Sequence, residues 1–287
     1  MLLAGAAIGP AILAPIMNSL IEKYGVTTAL HALGIIFFVS IAACGWLIVT
    51  PPAGWVPRGW TPPAVTAGTA GAATEKTWKQ MMATPLFWAM ILLMACAATA
   101  GNMLVSSAKP IAVLQVGGGF GMEAAAFGAI IVSISTLANF AGRLSFGALY
   151  DKIGPNRSLL ISLGATIVAM AAMSAASNAF FFTVCIVVLG FAFGGVLVIF
   201  PPMTSRNFGM KNLGINYGIM FIGYAIGGYI GPKLATAFVG PDPAATNYYR
   251  GAYIGAIVVG IVGIAIVALI MWLEKRQRAA LTATATA

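Results

Sequence analysis

The chain has 287 residues, of which 60% are hydrophobic and only 7% charged, and its mean hydropathy is +0.96. Soluble domains carry roughly 25% charged residues, so a water-soluble globule is excluded. The net charge of +9 does not point to nucleic acid, because the basic residues sit in short segments between long apolar runs, with no aromatic-interleaved stripe. A bilayer core about 30 Å thick needs about 20 apolar residues per helix. Runs near that length recur at 1–20, 27–49, 86–108, 123–147, 158–177, 179–200, 212–237 and 250–273. They predict an all-α membrane protein of about eight transmembrane helices. The first run lacks the basic segment and small-residue cleavage site of a secretory leader, so it is read as a span.

The spans 158–177 and 179–200 leave only a tight turn around Asn178, a helical hairpin. The long polar interruption, 50–85, carries Pro51, Pro52, Pro57, Pro62 and Pro63 and a Thr/Ala/Gly stretch before Glu75, and reads as a linker. Placing it in the cytoplasm puts Arg58, Lys76, Lys79, Lys152, Arg157, Arg206, Lys211, Lys275, Arg276 and Arg278 on that side, against Lys23, Lys109 and Arg250 opposite. The C-terminus is then cytoplasmic. Cys44, Cys96 and Cys185 fall in separate apolar runs without metal or disulfide spacing. Six acids and a single histidine, His31, supply no convergent nucleophile, base or metal set, so neither catalysis nor a cofactor is expected.

Ala4-Gly5-Ala6-Ala7-Ile8-Gly9-Pro10 resembles Ile226-Gly227-Gly228-Tyr229-Ile230-Gly231-Pro232, and each is followed by one further apolar run. If these are equivalent members of parallel repeats, 1–49 holds the last two helices of an N-terminal bundle and 50–85 is a cytoplasmic linker. Residues 86–274 are then a six-helix C-terminal bundle and 275–287 a cytoplasmic tail. On this expectation about four helices of the same protein precede Met1.

The stretch Gly142-Arg143-Leu144-Ser145-Phe146-Gly147-Ala148-Leu149-Tyr150-Asp151-Lys152-Ile153-Gly154-Pro155-Asn156-Arg157 resembles the G-x-L-x-D-[RK]-x-G loop signature of the major facilitator superfamily. In that reading Gly147 lets two helices approach closely and Asp151 meets the positive end of a neighbouring helix. Lys152 and Arg157 hold the turn at the anionic leaflet, and Gly154 completes the motif. Gly5-x-x-x-Gly9-Pro10 resembles a glycine-proline motif of antiporters in that superfamily, with generic close packing as the competing explanation. The Asn139–Arg143 approach, the Phe208–Gly214 turn, Tyr217-Gly218 and the Pro51–Trp55 stretch are similar to the oxalate/formate antiporter family. The resemblance implies a secondary transporter of small organic anions in a bacterial cytoplasmic membrane, with a proton or counter-anion as coupling partner.

It further implies two substrate-holding cations, an arginine that carries over onto Arg143 and a lysine at whose place this chain has Tyr224. An arginine within a membrane helix costs about 2.5–3.5 kcal/mol on insertion scales, and its planar fork matches a carboxylate. Arg143 also lies only four residues from Gly147, so a gating role, with Asp151 as partner, stands beside substrate binding. One cation in place of two suits a monocarboxylate such as formate, lactate or pyruvate at least as well as oxalate. Phe193, Phe221 and Tyr224 are expected as aromatic walls, and Asn102 and Asn139 as amide donors, to the anion. A non-transporting remnant or a carboxylate sensor remains the alternative, because alternating access requires two bundles around the site.

Overall fold

The computed structural model describes residues 2–49, 55, 75–240, 242 and 248–285. The linker prolines and the Thr/Ala/Gly stretch lie outside the described residues, as do the surroundings of Gly5 and Pro10. The chain divides into two compact units, Gly9–Gly71 and Ala72–Ala287 with Met1–Ile8.

The first unit holds most of α1 (Leu2–Leu47), which Gly25 interrupts with φ 78° and ψ 165°, a conformation that only glycine adopts freely. The interruption splits α1 close to the boundary expected between the first two spans. Beyond it Ile35, Phe38, Ile41 and Trp46 stand exposed on different sides of the helix, an apolar exterior suited to lipid or to other helices. An added Cβ at Gly9 would meet nothing within 4 Å.

The larger unit begins with a short helix inside the expected linker, α2 (Trp78–Met82). Thr77 and Gln80 form a reciprocal capping box there, which satisfies donors at its start. Then follow α3 (Pro85–Ile111), a π-helical turn (Ala112–Val116), α4 (Ala124–Ile153), α5 (Pro155–Met173), α6 (Ala179–Phe208), α7 (Leu213–Met220), α8 (Ile222–Ala237) and α9 (Arg250–Ala285). Among the described residues seven helices are long and apolar enough to cross a membrane, α7 and α8 counting as one. Asn178 caps α6, its side chain accepting from Phe181 N at 2.8 Å, as expected for the tight hairpin.

Two expectations need correction. The motif loop shrinks to one residue: α4 runs on to Ile153, so Asp151 and Lys152 lie in its last turn. Gly154 turns the chain at φ 81°, and Pro155 opens α5 where no backbone N–H is required. Gly147 is not the point of closest approach either, since a Cβ there would sit 3.5 Å from Val198, an ordinary contact. The tight crossing of α4 on α6 lies higher: a Cβ at Gly142 would overlap the Phe191 carbonyl, and one at Gly194 the Asn139 carbonyl.

The second close crossing joins α8 to α3. A Cβ at Gly223, Gly227 or Gly231 would lie 2.5, 2.6 and 2.5 Å from the carbonyl oxygens of Ile91, Ala95 and Thr99. Small residues four apart let two backbones meet, and in a bilayer this packing replaces the hydrophobic drive. Gly194→Leu is therefore expected to lower the stability of the detergent-purified protein by at least about 1–3 kcal/mol, the usual cost of overpacking. Gly147→Ala should be near neutral, and equal losses in the two variants would refute this placing of the α4–α6 contact.

Two apolar clusters fill the unit, one at each end. Leu104, Ile111, Phe127, Phe182 and Tyr253 belong to one, and Phe87, Met90, Phe146, Phe200, Phe208 and Met220 to the other. The second end is the basic one. Glu274, only 8% exposed, accepts from Asn156 at 3.0 Å and Asn207 at 3.4 Å, joining α9 to the start of α5 and the end of α6. Arg157, Arg206 and Lys275 line the cleft around it.

Candidate functional site

Phe193 belongs to the second cluster and Tyr224 packs against it, so the expected site residues border that cluster. Arg143 lies ten residues before the end of α4, about 15 Å along the axis, and Tyr224 about 17 Å past the start of α7. A helical side chain leans towards the N-terminus of its helix. The Arg143 Nε accordingly donates to Asn139 Oδ1 at 3.0 Å, one turn back and away from the basic end. Asp151 is two turns in the other direction and exposed.

Tyr224 stands on α8, which packs on α3. Its hydroxyl donates to Asn102 Oδ1 at 3.4 Å, while Asn102 Nδ2 donates to Ala98 O at 2.9 Å, within its own helix. The two asparagines thus serve first to orient Arg143 and Tyr224. The Tyr224 ring stacks against Phe221, with centroids 4.8 Å apart and planes at 20°. On its other partner, Phe193, the centroid distance is 6.5 Å and the planes are at 10°. Phe193 is itself buried, and its ring fills the space a Cβ on Gly101 would need. Tyr217, absent from the expected set, extends the aromatic series through Phe221 at 5.7 Å. Its Tyr-Gly context was visible in the sequence, but its depth was not.

Lys233 and Lys109 lie towards the far end of the unit, and the Lys233 ammonium sits 5.7 Å from the Tyr229 ring. Neither supplies a second cation beside Arg143. Lys152 and Arg157 are exposed at the basic end, and Gly154 forms the turn between them. Among the described residues, no group of three or more His, Cys, Asp or Glu side chains is placed to hold a metal ion.

A helical bundle with two glycine-lined crossings and a cationic, aromatic patch at mid-depth describes a membrane carrier. The family model of the Major Facilitator Superfamily matches residues 1–232 and 103–286, so the chain belongs to that superfamily, which comprises transporters and not enzymes. It is a multi-pass membrane protein. Over 162 residues it is 35% identical to an uncharacterized MFS-type transporter, YhjX, of Escherichia coli (strain K12), covering 55% of this chain and 39% of that one. It is 27% identical over 248 residues to the oxalate:formate antiporter of Oxalobacter formigenes, covering 82% of this chain and 54% of the antiporter. A further match, 28% over 102 residues, is to an uncharacterized 38 kDa protein in the 23S RNA operon of Thermoproteus tenax. The chain spans about half the length of the antiporter and less of YhjX. These similarities agree with the superfamily and the antiporter-like family expected from the motifs.

Proposed function

We propose that this chain forms part of a secondary transporter of small carboxylates, with the unit from Glu75 to Ala285 supplying one wall of the pathway. The observation that carries the reading is the Arg143 guanidinium, held by Asn139 near the middle of α4. A carboxylate docking there pairs with the guanidinium fork and takes a neutral hydrogen bond from the tyrosine hydroxyl. Phe193 and Phe221 shield the pair from water, which strengthens it. The basic end faces the cytoplasm, as cation placement requires, and the C-terminus lies on that side. Anion exchange or proton coupling then proceeds by rocking this bundle against a second one.

With one cation and one phenol, the site satisfies a single carboxylate better than two. Monocarboxylates such as formate, lactate or pyruvate are expected to stabilise the purified protein against heat at least as strongly as oxalate. Tyr224→Lys should raise oxalate affinity by about tenfold, the gain of about 1.4 kcal/mol expected for one added ionic contact. Strong stabilisation by oxalate alone in the unaltered protein would sink the monocarboxylate assignment. No response to any carboxylate would sink the site.

A further inference from the structure

We propose that Glu75 and Lys76 form a clasp that couples the start of the larger unit to α7, and through α7 to the aromatic side of the site. The carboxylate of Glu75 accepts from two successive backbone N–H groups in the turn after α6, Met210 N at 3.3 Å and Lys211 N at 2.8 Å. Lys76 N donates to Phe208 O at 3.0 Å. Its carbonyl accepts from Asn212 Nδ2 at 3.1 Å and Asn216 Nδ2 at 3.0 Å. Residues 75–76, at the start of the described part of the larger unit, are therefore tied to both ends of the α6–α7 turn. Gly209 serves this twice: its φ of 90° makes the turn, and a Cβ there would collide with the Glu75 carboxylate.

The other end of α7 runs into α8 with little break: Phe221 is helical, at φ −66° and ψ −12°, its N–H donates to Tyr217 O at 2.8 Å and its carbonyl accepts from Ala225 N at 3.2 Å. Beyond Phe221, α8 is locked to α3 by Gly223, Gly227 and Gly231. The eight residues of α7 are the lever of this proposal, clasped at one end and anchored at the other by the α8–α3 crossing, beside Phe221 and Tyr224. Tyr217, on the lever, touches the Phe221 ring. Asn216 is 0% exposed, yet its Oδ1 has no partner among the described residues. The clasped arrangement leaves that acceptor unpaid, so a second arrangement of α7 has something to gain. Burial against Phe208, 5.6 Å from the Lys76 ammonium, holds the lysine below its ordinary pKa, consistent with a segment seated on the unit and not trailing from it.

Hydrogen-exchange mass spectrometry on the whole protein in lipid nanodiscs tests the clasp without any anion. Glu75→Gln keeps the side chain's shape, removes its charge and lies on an exposed residue, so folding is not at risk. It should speed exchange about tenfold both at 209–212 and along 213–221, leaving 222–237 unchanged because α3 holds it. Lys76→Ala, which keeps every backbone bond of the clasp, should leave both stretches as they were. Acceleration confined to 209–212 makes Glu75 a local cap and overturns the proposal. So does acceleration that spreads through 222–237, or an equal effect of Lys76→Ala. The link from the clasp to anion movement rests on the transport reading, but the exchange pattern does not, so either can fail alone.

Discussion

Arg143→Gln is expected to weaken carboxylate binding by about 100-fold, with little change in the thermal stability of the anion-free protein. Truncating one side of a desolvated charge pair costs about 2–5 kcal/mol, and about 2.8 kcal/mol is a factor of 100. Stability is spared because glutamine keeps a donor amide near Asn139 Oδ1 while shedding the cost of holding a charge at mid-depth. Arg143→Lys should fall between, since an ammonium keeps the charge but loses the two-pronged fit. Titration of the anion-induced thermal shift across formate, pyruvate and oxalate separates these outcomes. An unchanged affinity in Arg143→Gln would remove the residue from the binding site and leave it a gating role near the α4–α6 crossing.

The helices were legible in the sequence because a bilayer demands long apolar runs, and a run of about 20 residues has few other uses. Their ends were less so. The span expected to stop at 147 continues to Ile153, because polarity marks where the membrane stops and not where backbone hydrogen bonding stops. Arg143 and Tyr224 could be anticipated from the resemblance to the antiporter family, and Phe193, Phe221, Asn102 and Asn139 from their place within apolar runs, where polar groups seek one another. The division of labour among them could not. Asn139 and Asn102 lie within bonding reach of Arg143 and Tyr224 by helix register and packing, and no composition reveals that. The same holds for Gly142, which replaces Gly147 as the contact glycine, and for Glu75, whose partners lie 135 and 136 residues away.

Gln115 shows most plainly what a single sequence hides. It is one amide in an apolar stretch just beyond an expected span, yet it joins three helical segments near the end opposite the basic rim. Its Nε2 donates to Met173 O at 2.8 Å and Ala176 O at 2.9 Å, at the end of α5 and in the turn after it, and its Oε1 accepts from Tyr253 OH at 2.6 Å. The π-helical turn that contains it supplies the extra residue that swings the amide between α5 and α9. Both Gln115 and Tyr253 are buried. Gln115→Leu fills similar space but leaves a phenol and two carbonyls without this partner, at about 1–3 kcal/mol for each group that finds no substitute. The expected loss is about 2–4 kcal/mol in denaturant unfolding of the detergent-solubilised protein, against about 1 kcal/mol for Tyr253→Phe. The double variant should lose less than the sum, because one bond is removed twice. Carboxylate affinity should not move in any of the three, since the site at Arg143 lies beyond the intervening apolar cluster. A stability change below about 1 kcal/mol in Gln115→Leu would mean that α5 and α9 are held by apolar packing alone and that the amide merely occupies the gap.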